Sequence, residues 1–432
     1  MRIEPIVVLI LLAASLAQDT GKTVRHHKVA VEDPSLPPEL VQAETALDQR
    51  DFSTAEPLLN KVTTRDPSNY RAWFDLGFLY NAQGKPEESI AAYRKSVAAK
   101  PDVFESNLNL GLMLARAKHD DAEQFLRAAT KLKPTSQVDE GQARAWLSLG
   151  HVLESSKPDE ALEAYRAAAK LRPADPEPHL SAGPLLERQN KFAEAEQEYK
   201  QALAIDPNSS DAMIGIANIY MRGTRYREAA GILRKLVAQR ADYAPGHIQL
   251  ARVLALDNKF AEAIPEFQAG LRLDPRNREA QRDLAEAYAS AGKFVDAQLL
   301  YEALLGSSPN DASLRQSLGR AYLKQRKFPQ AQQEFLAALK IKPDLAEAYG
   351  DLAMAANQNK DYSTTVRALD LRAKYLPELP ATYFLRATAY DHLRDYKQAA
   401  ANYHLFLQTS NGQLPEQEWQ ARHRLIAIEP KK

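Results

Sequence analysis

The 432-residue chain contains no cysteine. Disulfide staples, zinc–thiolate sites, thiol catalysis and a lipidated cysteine are therefore excluded. Net charge is missing as well: 56 Lys+Arg balance 56 Asp+Glu. No run of five like charges occurs, so the basic footprint of a polyanion binder is lacking and no nucleic-acid partner is expected. Glycine is sparse, at 17 residues, and neither a Gly-x-Gly-x-x-Gly, a phosphate-binding loop nor a Gly-x-Ser-x-Gly is present. The nine histidines form no His-Glu-x-x-His; His26-His27 is a close pair without third and fourth ligands, and reads as solvated. Acidic pairs such as Glu87-Glu88 and Asp120-Asp121 fall at turns or helix starts, where the helix dipole accounts for them. The survey leaves no catalytic residue, no cofactor and no metal site to expect.

Long apolar runs are also scarce. The one near the start follows Arg2 and extends from Ile6 to Ala14, ahead of Ser15-Leu16-Ala17-Gln18. A basic residue, a short apolar stretch and small residues at the −3 and −1 positions predict a secretory signal peptide over 1–17, cleaved after Ala17. Residues 18–35 are polar and proline-containing, and are expected to form a flexible leader. No later segment approaches transmembrane length. The expected location is thus outside the cytoplasm, periplasmic or secreted, with no transmembrane segment after cleavage.

What the chain does have is a period. Pro67, Pro101, Pro134, Pro173, Pro207, Pro275, Pro309, Pro343 and Pro377 lie mostly 34 residues apart, with Ala241 in the one vacant place. Proline lacks an N–H and disfavours helix in its predecessor, so each marks a stop between helices. Asp206-Pro207-Asn208 and Asp274-Pro275-Arg276-Asn277 offer caps for the helix that follows. Two small residues recur within each period, as in Gly77 and Ser89, Gly183 and Ala195, or Gly319 and Ala331. They lie eleven or twelve residues apart, where two antiparallel helices joined by a short turn would cross. Large apolar residues such as Leu76, Tyr80 and Tyr93 fill the same helical stripes at spacings of three and four.

Trp73–Leu76–Gly77–Tyr80–Ser89–Tyr93–Ser96–Pro101 resembles the tetratricopeptide repeat signature, as does Leu318–Gly319–Tyr322–Ala331–Phe335–Ala338–Pro343. The resemblance extends over about residues 36–411 in eleven units. It implies an all-α fold: a right-handed α-α superhelix, or solenoid, of helix-turn-helix repeats. Units 1–3 occupy 36–134, an insert 135–142, units 4–11 143–411, and a C-terminal capping helix and tail 412–432. Glu39 and Gln42 stand at the usual aromatic and leucine places of the first unit, which reads as a degenerate cap. Units three and four lack one residue in the turn, near Lys118-His119 and Ser156-Lys157. Trp419, Leu425 and Ile428 predict a final amphipathic helix covering the end of the array.

The resemblance further implies that first helices line a concave groove that binds other proteins or peptides. Early groove positions hold Phe74, Phe78, Asn81, Leu108, Asn109, Leu112 and Leu147, an apolar set. Later ones hold Asn218, Gln249, Arg252, Arg282, Glu286, Gln316, Arg320, Asp351 and Asn357, polar and mixed in charge. An apolar peptide or helix is expected early and polar or amide recognition late. The arginines can meet an acidic partner, or Asp283 and Glu286 on adjacent helices. The matching places do not reproduce the lysine–asparagine clamp for a C-terminal carboxylate. A non-catalytic interaction scaffold is the function implied; the alternative is a regulatory or assembly subunit of an envelope polysaccharide-synthesis or protein-export complex.

Overall fold

A computed structural model describes residues 36–429. The signal segment and leader expected over 1–35 lie outside the described residues. Within them the chain forms 23 α-helices and no strand. The first 22 pair in sequence, from Pro38–Asp48 with Phe52–Arg65 to Pro380–His392 with Tyr396–Ser410, and Pro415–Ile428 stands last. Within the units the two helices of a pair pack on each other, as Tyr70–Ala82 does on Pro86–Ala99, and second helices pack on the first helix of the next pair, as Phe328–Ile341 does on Ala346–Gln358. Contacts divide the array into two compact units, one ending at Ile219 and one beginning at Tyr220. In both units some successive first helices also touch each other, as Pro38–Asp48 does Tyr70–Ala82 and Ala312–Lys324 does Ala346–Gln358.

The turn inside ten of the eleven pairs has one design. Arg50, Gly84, Lys118, Asn190, Thr224, Asn258, Gly292, Arg326, Lys360 and Arg394 all adopt positive φ. In the second pair Gly84 N–H donates to Asn81 C=O and Lys85 N–H to Tyr80 C=O, which closes the helix end as a Schellman cap. The fourth pair departs: Ser156 and Lys157 N–H both donate to Leu153 C=O, and no left-handed residue appears in that turn. In the third, Lys118 keeps the cap and the shortening falls at the start of the next helix, Ala122–Lys131. The two missing residues are therefore different defects. No atom crowds a Cβ at Gly84 or Gly292, so Gly84→Ala or Gly292→Ala isolates the backbone cost of a left-handed conformation. The expected loss is about 1 kcal/mol each in urea unfolding; no loss would mean that the turn relaxes to another form.

Between pairs, a second device recurs. The side chain at the fourth place of a first helix donates to the carbonyl six residues earlier, in the loop. Trp73 Nε1 reaches Pro67 O at 2.9 Å, Gln281 Nε2 reaches Pro275 O at 2.8 Å and Tyr349 Oη reaches Pro343 O at 2.9 Å. The bond ties the loop to the helix that follows it, and donors of very different shape serve at that place. Capping follows the same economy of local bonds. Asn69, Asn277 and Asp311 accept from backbone N–H groups of the helices they precede, whereas Asp206 and Asp274 act within the turn before.

The insert is both loop and helix. Gln137 adopts positive φ and the following helix, Val138–Leu153, gains an extra turn at its start. Thr135 donates from both its N–H (2.8 Å) and Oγ1 (2.7 Å) to Glu105 Oε1, tying the insert back to the helix Phe104–Arg116. The insert sits within the first compact unit, and the boundary between units falls elsewhere. At the far end Leu425 is buried and Ile428 half-buried against the array, but Trp419 is 61% exposed and turned away from it. Only one side of the terminal helix does the covering expected of it.

Candidate interaction face

The first helices carry the residues singled out by the sequence, and their side chains divide by depth. In the unit ending at Ile219, Phe78, Asn81, Leu112 and Leu147 are half-buried. Phe74 is only 6% exposed and packs edge-on against Tyr93, ring centroids 5.6 Å apart. It belongs to the core between pairs, not to an open face. Leu108 and Asn109 are buried as well. Half-buried apolar residues also continue the series beyond those expected, at Leu180, Pro184 and Ile214. Their signal was the period itself, since Leu147, Leu180 and Ile214 stand one repeat apart. The result is a broken apolar strip along successive first helices, partly open to solvent.

Polar groups lie beneath that strip. Asp75, Tyr93, Glu105 and Asn109 are all buried. Burial, then the charge of Asp75, pushes the Tyr93 phenol up, against a lowering contribution from Asn109. That contribution is a hydrogen bond between the Asn109 side chain and the phenol, whereas Glu105 Oε2 is sealed from solvent without a hydrogen-bond partner.

In the unit beginning at Tyr220 the corresponding face is an ionic ladder. Arg252 Nε donates to Asp283 Oδ2 at 2.6 Å, and its NH2 lies 3.1 Å from Glu279. Arg282 pairs with Asp311. Arg320 Nε and Gln316 Nε2 both donate to Asp351 Oδ2, at 2.7 and 2.8 Å. Each arginine is thus engaged by the next repeat, as the sequence allowed, and Arg252 and Arg282 are themselves half-buried. Burial raises the Asp283 carboxyl above the usual range, outweighing the opposing charge of Arg252. Gln249 and Gln316 are buried, Asn357 half-buried, and Glu286 and Arg320 exposed. Asn218, in the preceding unit, is half-buried. An acidic ligand would have to displace these intramolecular partners, so the later face is tuned more to hold repeats together than to offer positive charge.

Among the described residues no group of three or more His, Asp or Glu is arranged to hold a metal ion, and no helix is long and apolar enough to cross a membrane.

Comparison with known proteins agrees with this architecture. A family model described as Tetratricopeptide repeat matches residues 40–104, 81–137 and 151–210. A second model of the same description matches 186–256, 254–318 and 289–356. No curated protein matches the chain. Among solved structures, YrrB, "a TPR protein with an unusual peptide-binding site", is 23% identical with a TM-score of 0.41, over 46% of this chain and 99% of that one. The Cut9–Hcn1 hetero-tetramer is 15% identical with a TM-score of 0.40, over 90% and 97%. PilF of Pseudomonas aeruginosa is 20% identical with a TM-score of 0.39, over 50% and 95%. With models of that one repeat matching most of its length, the chain belongs to the tetratricopeptide-repeat family.

Proposed function

We propose that this protein is a non-catalytic scaffold that holds a peptide or helical segment of another protein along its first helices, outside the cytoplasm. The observation that carries the reading is the partly open strip of Phe78, Leu112 and Leu147 on successive first helices. Phe78 and Leu112 hold one place of the repeat and Leu147 lies one turn earlier on its own helix, and an apolar strip so placed is what an amphipathic helix or extended segment recognises. The export part of the reading rests on residues 1–17, whose apolar run and small residues have the form of a cleaved signal.

A photo-crosslinking amino acid placed at Leu112 and, separately, at Val295 tests this in cells. Val295 is exposed on a second helix. Crosslinks to one recurring protein from position 112, lost in Phe78→Asp, are expected, with little or none from 295. Equal yields at both positions would sink the assignment of the face. Recovery of the chain with Met1 intact in the cytoplasmic fraction would remove the export.

A further inference from the structure

Two arginines of the first helices differ from all the others. Arg116, at the end of Phe104–Arg116, and Arg144, within Val138–Leu153, are exposed and make no ion pair, hydrogen bond or ring contact among the described residues. Every other arginine of the first helices is engaged by a group of its own chain. Arg71 holds Glu44, Arg188 holds Glu154, Arg315 holds Glu334 and Arg386 holds Glu378. Acids close by do not change this. Glu140 precedes Arg144 by four residues, a spacing that suits an ion pair, yet forms none with it. Asp121 is taken by Arg94. Asp75 and Glu105 are buried and pair with neither arginine.

Helix geometry places both cations beside the apolar strip. Residues three or four apart share a helix face. Arg116 follows Leu112 by four residues and Arg144 precedes Leu147 by three, so each lies within about 6 Å of a strip leucine along its helix axis. The two helices also touch each other. Leu112 and Leu147 are half-buried and both arginines exposed, so apolar surface and positive charge are open to solvent together. That combination complements a segment whose apolar residues are accompanied by carboxylates.

We propose that the bound segment is acidic as well as apolar, with aspartate or glutamate side chains that Arg116 and Arg144 receive beside Leu112 and Leu147. This rests on the scaffold reading above and adds to it the charge of the partner. The later face has more arginines, but Asp283, Asp311 and Asp351 occupy them. The cations left for a ligand are therefore on the early face, where the apolar strip is. Both arginines are exposed, and the acids Asp75 and Glu105 lie below the strip. Each contact is thus expected to contribute no more than about fivefold in affinity, less as salt rises.

The test repeats the photo-crosslinking from Leu112 in cells with Arg116→Glu and Arg144→Glu combined. The yield of the recurring product should fall at least about fivefold. Mass spectrometry of the product from the unaltered chain should find an aspartate or glutamate within about one helical turn of the crosslinked residue. Arg227→Glu with Arg272→Glu, at exposed arginines of second helices that also lack a partner among the described residues, should leave the yield unchanged. Arg116→Gln with Arg144→Gln should give an intermediate yield, and it decides the outcome if the reversed variant fails to accumulate. An unchanged yield in the glutamine variant, or a crosslinked segment with no acid near it, would overturn the inference and leave the scaffold reading in place. Absence of any recurring product from Leu112 in the unaltered chain would remove the scaffold reading, and this inference with it.

Discussion

Gly319→Leu is expected to destabilise the protein by about 3 kcal/mol, near the upper end for overpacked sites. A Cβ at Gly319 would lie 2.6 Å from Phe335 Cε1, on the ring that fills the crossing of Ala312–Lys324 with Phe328–Ile341. Phe335 is itself fully buried, so it has nowhere to retreat. Ala331, opposite in the second helix, is equally enclosed. The larger side chain must therefore spread the two helices, which also loosens the packing of each on its neighbours. Lys324→Leu supplies the control: it changes an exposed helix end and should move stability by no more than about 0.5 kcal/mol. Because repeat arrays open locally, amide exchange over 312–341 should report the loss more directly than a global melt. Similar losses for the two substitutions would mean that the crossing is misplaced.

That crossing was readable from the sequence because one residue type is demanded there for a steric reason, and the demand recurs every 34 residues. The prolines and the large apolar stripes were readable on the same ground. The turns were less so: Arg326, Lys360 and Arg394 occupy the left-handed place that Gly84 and Gly292 announce by their type. Phe74 and Phe78 lie four residues apart on one helix, yet one is core and the other partly open. Their depth depends on Tyr93 and on the next pair, which spacing within a helix does not report. The ladder of Arg252, Arg282 and Arg320 had two readings in the sequence, and the distances to Asp283, Asp311 and Asp351 choose between them.

The least readable feature lies near the end of the array. In other pairs, such as Leu318 and Leu352, leucine precedes the small residue of the first helix, but the last pair has Arg386 before Ala387. Arg386 is buried, with NH2 2.6 Å from Glu378 and Nε 3.2 Å from Asp370. Thr382 Oγ1 donates to the other Glu378 oxygen at 2.6 Å. Beside it Arg372, also buried, donates to Pro377 O at 2.9 Å, and its side chain passes 3.6 Å from the place a Cβ on Gly350 would take. A place held by leucine in most pairs thus carries a buried ion pair here.

Arg386→Ala should cost about 3–5 kcal/mol, because Glu378 is left with one hydroxyl donor and no counter-charge. Asp370 contributes little to that cost, since its side chain is 55% exposed and hydrates when released. The sign should reverse when both partners are removed. Arg386→Leu with Glu378→Gln restores the apolar side chain of the other pairs and keeps an acceptor for Thr382, so stability should be unchanged or rise by about 1–4 kcal/mol. The arginine is thus held in place by its partner more than by any net gain in stability. A double-mutant cycle in urea, with amide exchange over 362–392, measures the coupling. A loss below about 1 kcal/mol for Arg386→Ala would mean that water already solvates the junction and that the last pair is only loosely docked.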